Sequence, residues 1–172
     1  QKGNGKMTHN LEEYITKIAV SNYAETLVCY GDTDLELLSE TFTGLTPPFN
    51  SQVDAETFWK AVLLADFGAV TILEFWNTRL DPSQEHGSHI QTELGWDEDD
   101  TIHQYTAELY SKFNSSLHKP MYFADNQYRV LEYKPTNITQ GDCLVFPSNI
   151  YHRNPRNTSE ESEIISVCTF TR

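Results

Sequence analysis

The sequence has no long apolar run, few basic residues and few cysteines, and each shortage excludes a class of protein. No stretch approaches the roughly 18 to 20 apolar residues that cross a bilayer, so we expect a soluble, cytoplasmic chain. Twelve Lys and Arg stand against 25 Asp and Glu, which gives a net charge of −13. Because such a surface repels phosphate backbones and anionic lipids, neither nucleic acid nor a membrane is an expected partner.

Three cysteines, Cys29, Cys143 and Cys168, are too few and too far apart for a disulfide framework or a paired zinc motif. We therefore expect reduced thiols that are mostly buried. Secretion stays open: the N-terminus lacks the apolar middle of a signal peptide, but the chain does not begin with Met and carries three glycosylation-type triplets. Whether the chain forms a homo-oligomer or joins an assembly is also left open.

The length of 172 residues and the 38% hydrophobic content predict a single folded domain over residues 1–172. Its N-terminal part, about 8–66, is predicted to be helical and to pack on a β core. The first helix is indicated by a stripe of apolar residues: Leu11, Tyr14, Ile15, Ile18 and Ala19. A second helix is predicted to begin at Asp54 and to end at Gly68.

From about residue 69 to 172 the chain is rich in β-branched and aromatic residues, which favours strands. Short strands separated by Pro, Asn, Gly and Ser turns predict a mainly β protein, a jelly roll or double-stranded β-helix with flanking helices. A helical insert is predicted between strands, after a cap at Asp99 or Asp100. Its apolar residues at near-helical spacing are Ile102, Tyr105, Leu109 and Phe113.

The stretch "GDCLVFPSNIYHRNPRN", residues 141–157, indicates chemistry. A Gly-Asp turn precedes an apolar strand, Pro147 ends that strand, and His152 falls on the returning segment. A metal site on a jelly roll needs side chains that project inward from strand ends, because a rigid scaffold must hold them about 2 Å from one ion. His152 meets that condition, although a polar turn that merely contains a histidine is the simpler interpretation.

This stretch resembles the second conserved motif of the cupins and the distal-histidine strand of the 2-oxoglutarate/Fe(II) oxygenases, which share the double-stranded β-helix. The resemblance covers about residues 141–170. It implies further metal ligands some tens of residues upstream, where the sequence offers His86, His89 and Glu93. The cupin pattern of His-x-His has one residue fewer than His86-Gly-Ser-His89, and neither histidine begins the His-x-Asp or His-x-Glu of the oxygenases.

In the oxygenases a cation on the strand after the last histidine binds the distal carboxylate of 2-oxoglutarate, since a guanidinium grips a carboxylate at two points. Alignment places Glu163 or Ile164 at that position. The resemblance therefore implies that another cation serves. The candidates for binding the co-substrate are Arg129, Lys134 and Arg153, and Arg79 and Arg156 are further choices.

The resemblance implies a non-haem Fe(II) and 2-oxoglutarate-dependent hydroxylase, in which His152 is the distal ligand and His86 or His89 with Glu93 is proximal. Two other classes stay open. The missing His-x-Asp, the missing cation and the acidity favour a catalytically inactive jelly roll that serves as a structural or binding module. A cupin-type isomerase or sugar-binding protein would keep the metal or pocket without 2-oxoglutarate.

Overall fold

Two antiparallel β-sheets form the core of the protein in a computed structural model that describes residues 11–20, 52–89, 104–124 and 131–172. Strands β1, β7, β4, β9 and β2 lie side by side in one sheet, and β3, β8, β5 and β6 form the other. The strands span Thr16–Ala19 (β1), Thr71–Leu80 (β2), His86–His89 (β3), Tyr105–Lys112 (β4), Tyr122–Ala124 (β5), Glu132–Tyr133 (β6), Asp142–Pro147 (β7), Tyr151–Asn154 (β8) and Glu163–Thr171 (β9).

The central strands of the larger sheet, β7, β4 and β9, are buried on both faces. The inner face of this sheet packs against the smaller sheet through an apolar core that includes Tyr110, Phe146 and Ile165. Its outer face is covered by a helix. The two antiparallel sheets face each other, and strands that are neighbours in a sheet are mostly not consecutive in the chain. This is the arrangement of a double-stranded β-helix, so the predicted fold is confirmed. Strands β2 to β9 all lie in the region predicted to be rich in strands, about 69–172.

Helix α1 spans Gln52–Phe67 and covers the outer face of the larger sheet. Its contacting residues recur at helical spacing, and they are Phe58, Trp59, Val62, Leu63 and Phe67. Gly68 ends the helix with φ at +71°, and its amide donates to the carbonyl of Leu64 at 2.9 Å. Because glycine adopts this left-handed conformation without a side-chain clash, the predicted helix end is confirmed.

The first predicted helix is wrong within the described residues. Leu11–Tyr14 forms one 3₁₀ turn, and Thr16–Ala19 is strand β1, which pairs with β7 at the edge of the larger sheet. The apolar stripe divides between two cores: Ile18 packs on the core beneath α1, whereas Leu11 packs between the sheets. The pairing of residues 16–19 with β7 at the sheet edge therefore decides their structure, and the helical spacing of the apolar residues does not. The rest of that predicted helix lies outside the described residues.

The predicted helical insert is also wrong within the described residues, where Tyr105–Lys112 is the central strand β4. Strand β4 pairs with β7 on one side and β9 on the other, and residues 106–111 are buried. Tyr105 and Leu109 are four residues apart, and an even spacing puts them on one face of a strand as readily as on one face of a helix. Ile102 lies outside the described residues.

Cys143 and Cys168 are free and fully buried beneath α1, as expected of packing residues, and burial raises the pKa of both thiols. Cys29 lies outside the described residues. Across those residues, the structure contains no helix with the length and apolar character required to cross a membrane.

Candidate metal centre

His152 lies at the centre of the space between the two sheets. Along β8, His152 and Asn154 are buried while Tyr151 and Arg153 are partly exposed, so the pleat turns the imidazole inward. The ring is fully buried, and its centroid lies 4.7 Å from that of Phe146 and 6.4 Å from that of Phe123. The turn after Pro147 thus places this histidine in the core between the sheets.

The backbone fixes the orientation of the His152 ring. Its Nδ1 lies 2.9 Å from the carbonyl oxygen of Ile150. A carbonyl only accepts, so Nδ1 carries a hydrogen and Nε2 is the ring nitrogen that could bind an ion. Metal-binding histidines are held in this way, by a hydrogen bond at the nitrogen that does not bind the ion.

Glu108 faces His152 from the opposite sheet. Its Oε2 lies 3.6 Å from Nε2 of His152, and its side chain is 3% exposed. Burial raises the pKa of this carboxyl to about 8. Sequence reasoning missed Glu108 because it assigned the segment to a helix. Read with a period of two, Thr106, Glu108 and Tyr110 share one face of a buried strand, and that reading would have marked the carboxylate.

His86 and His89 are the first and last residues of strand β3. In the register, His86 is opposite Asn154 and His89 is opposite His152. His86 and His89 are three residues apart on β3, whereas their partners on β8 are two residues apart. A β-bulge in β3 therefore accommodates the one extra residue between the two histidines. The side chain of His86 is exposed. Glu93 lies outside the described residues.

Two of the candidate cations, Arg153 and Lys134, lie on the other face of the smaller sheet, whereas Arg79 lies on β2 of the larger sheet and pairs with Asp81, and Arg156 pairs with Glu85. Alternation along β8 turns Arg153 away from His152, and its guanidinium donates to both carboxylate oxygens of Glu132 at 2.8 and 3.1 Å. These hydrogen bonds raise the pKa of Arg153. Both Arg153 and Lys134 lie over the ring of Tyr122, at 4.8 and 4.9 Å from its centroid. Arg129 lies outside the described residues.

A second buried carboxyl, Glu163, lies at the start of β9. Ile165 and Val167 of this strand belong to the core between the sheets, so alternation directs Glu163 to the same side. The side chain is 2% exposed, and burial raises its pKa to about 8. Burial also raises the pKa of Tyr110, and the nearby Glu108 and Glu163 add to that effect. The described interior is therefore acidic.

Within the described ranges, no three His, Cys, Asp or Glu side chains gather closely enough to form a complete metal cluster. The structure brings together His152 and Glu108 and aligns the backbone of His89 with His152. The roles of His86, His89, Glu93 and His152 as ligands, and of Arg129, Lys134 and Arg153 as co-substrate residues, stay predictions.

No protein-family model and no curated protein sequence matches the chain. Solved structures do share its fold. HygX from Streptomyces hygroscopicus, with nickel and 2-oxoglutarate bound, superposes with a TM-score of 0.63 at 14% identity, covering 92% of this chain and 81% of HygX. The viral collagen prolyl hydroxylase vCPH from Paramecium Bursaria Chlorella virus-1, a 2-oxoglutarate complex, gives 0.52 at 13% identity, covering 92% and 95%.

EvdMO1 gives a TM-score of 0.56 at 12% identity over 72% of this chain, which spans only 33% of the length of EvdMO1. These identities are low, and what the similarities establish is the architecture. The chain has the double-stranded β-helix found in 2-oxoglutarate/Fe(II) oxygenases.

Proposed function

We propose that the protein is a non-haem Fe(II) oxygenase that uses 2-oxoglutarate and holds the metal on His152 and His89. The observation that carries the proposal is the buried ring of His152, whose Nδ1 is fixed by the Ile150 carbonyl and whose Nε2 faces the interior. His89 is opposite His152 in the strand register, and directly opposed residues in an antiparallel pair lie on the same face of a sheet.

The described residues supply two donors of the kind that a divalent metal binds. Imidazole nitrogen and carboxylate oxygen are the donors that non-haem iron prefers, and both types meet between the sheets at His152 and Glu108. Bound there, Fe(II) would supply the activation of O₂ needed to hydroxylate a C–H bond. His86 and Glu93 remain candidates for further ligands on sequence grounds.

The described residues do not by themselves fit 2-oxoglutarate. Its distal carboxylate calls for a cation inside the chamber, yet Arg153 and Lys134 lie against Tyr122 on the outer face and Glu163 occupies the start of β9. Support for this co-substrate comes from the shared fold, since HygX and vCPH were each solved with 2-oxoglutarate. Arg129, outside the described residues, is then the cation we propose for it.

The chain's own contribution is orientation and exclusion of water. The Ile150 carbonyl keeps the ring of His152 in one tautomer, and Phe146 and Phe123 wall it off from solvent. A water-poor chamber strengthens charge interactions within it and protects reactive species from side reactions. The class of substrate is left open by this geometry.

A direct test measures the metal content of the protein and the formation of succinate from 2-oxoglutarate. We expect one bound Fe(II) and slow uncoupled succinate release, both lost in His152→Ala. His118→Ala is the matched control, because His118 is also buried but bonds only to loop backbone, at Asn114 and Glu161. Folded wild-type protein that binds no metal and releases no succinate would contradict the proposal.

Glu163 favours a second candidate, a jelly roll that binds a metal or another ligand without 2-oxoglutarate turnover. A buried carboxyl at the place where the oxygenases carry a cation opposes a bound dicarboxylate. Metal binding without any succinate formation or 2-oxoglutarate binding would select this candidate over the oxygenase.

A further inference from the structure

The chain lacks a carboxylate two residues after either of its upstream histidines, where the oxygenases carry one. Two residues after His86 and His89 stand Ser88 and Gln91, neither of which is charged. A facial triad of two histidines and one carboxylate, the usual ligand set of non-haem Fe(II) oxygenases, must therefore take its carboxylate from elsewhere in the chain.

We propose that Glu108 supplies this carboxylate, binding the metal together with His152 from the opposite sheet. The inference rests on the proposed function, since it requires a metal at His152. Glu93 was the candidate that the sequence offered, whereas Glu108 is the carboxyl that the fold places against the imidazole.

The distance between the two donors suits a shared ion. Nε2 of His152 and Oε2 of Glu108 are 3.6 Å apart, which is too long for a hydrogen bond. Metal bonds to imidazole nitrogen and carboxylate oxygen are each about 2.0 to 2.2 Å, so one ion can contact both atoms only if they lie within about 4 Å of each other. The distance between Nε2 of His152 and Oε2 of Glu108 is thus short enough for one ion to bind both atoms. It is also too long for a hydrogen bond between them.

The surroundings of Glu108 are apolar. Its strand neighbours in the larger sheet are Leu144 of β7 and Val167 of β9, both apolar and buried. In the part of the chain that the structure describes, no Lys or Arg forms an ion pair with this carboxylate. An ionised carboxylate buried without a cation is strongly unfavourable, and a bound divalent metal removes that penalty.

Glu108 is placed for metal binding by a rigid element. Strand β4 is the middle strand of its sheet and is paired on both sides, and Glu108 lies near its midpoint. His152 comes from the smaller sheet, so an ion held by both residues would join the two layers of the sandwich. Metal binding is therefore expected to stabilise the whole fold, because the ion binds the native arrangement and not the unfolded chain.

The test uses Co(II), a spectroscopic substitute for Fe(II), titrated into full-length wild type, Glu108→Gln and the matched control Glu163→Gln. Both substitutions replace a buried carboxyl with an amide in the same sandwich, but Glu163 does not contact His152. We read the dissociation constant by calorimetry, the visible absorption of bound Co(II), and the thermal midpoint with and without metal.

We expect Glu108→Gln to weaken Co(II) binding by more than about tenfold, since even indirect partners of a metal site contribute that much, and to change the visible spectrum. Glu163→Gln should retain both. If Glu108→Gln does not fold, Glu108→Asp takes its place: a carboxylate one methylene shorter should weaken binding and shift the spectrum, and unchanged binding would overturn the inference.

Wild-type affinity and an unchanged spectrum in Glu108→Gln would overturn the role of Glu108 alone and leave a plain His–Glu contact. Absence of Co(II) binding by folded wild type would overturn the proposed function and this inference together.

Discussion

Replacing Glu163 by Gln should make the protein less sensitive to alkaline pH. The carboxyl is 2% exposed, and its pKa is raised by burial from 4.5 to about 8. Between these two values the folded protein keeps a proton that the unfolded chain has lost. The contribution of Glu163 to the free energy of unfolding is fully present below about pH 4.5. It is lost as the pH rises through about 8, because burial opposes the ionisation of the carboxyl in the folded protein.

The magnitude follows from the two pKa values. In this window the free energy of unfolding falls by about 1.4 kcal/mol per pH unit for one such group. Between pH 6 and pH 8 wild type should therefore lose about 2 kcal/mol that Glu163→Gln does not lose. For a chain of this size that difference corresponds to roughly 4 to 8 °C in the thermal midpoint. Glu108 is present in both wild type and Glu163→Gln, so its own effect on stability cancels when the two proteins are compared.

The assay is thermal unfolding followed by circular dichroism at half-unit steps from pH 5 to pH 8.5, without metal. Glu160→Gln is the control, since Glu160 is exposed and the same chemical change there should leave the profile of wild type intact. Parallel profiles for wild type and Glu163→Gln would refute the reasoning, because they would mean that Glu163 ionises in the folded protein without penalty.

Two further changes test the packing that positions the site. Gly68→Ala should lower the free energy of unfolding by about 1 kcal/mol, because φ of +71° is strained for alanine even though no atom lies within 4 Å of the new Cβ; an unchanged denaturant midpoint would contradict this. Tyr110→Phe should lose roughly 1 to 3 kcal/mol, since the amide of Met121 donates to the Tyr110 hydroxyl at 2.9 Å and would lose its acceptor. Tyr151→Phe, at a partly exposed position, is its control, and equal urea midpoints for the two variants would count against the assignment.

The segment around His152 could be predicted because its signals are local. Gly141 adopts φ of +92°, and the carboxylate of Asp142 accepts from the amide of Thr139 at 2.9 Å. This turn opens the apolar strand β7, and Pro147 closes it. A turn, a strand and a chain reversal all depend on neighbours within a few residues, so the inward position of His152 followed from the sequence.

The position of Glu108 could not be predicted in the same way. A spacing of four residues between apolar positions fits both a helix and a strand. The spacing in residues 102–113 therefore does not reveal that Glu108 lies on the inward face of a strand. What decides between helix and strand is pairing with β7 and β9, strands that lie some tens of residues later in the chain. The bulge between His86 and His89 has the same origin, since only the register with β8 reveals it.

The most direct measurement is a crystal structure of the protein grown with Fe(II) in the absence of oxygen, with diffraction recorded at the iron absorption edge. We expect one anomalous peak between the sheets, about 2 Å from Nε2 of His152 and from a carboxylate oxygen of Glu108, with His89 as the next ligand. A chamber without an anomalous peak, in which Glu108 and His152 still touch and the imidazole of His89 points to solvent, would contradict this expectation.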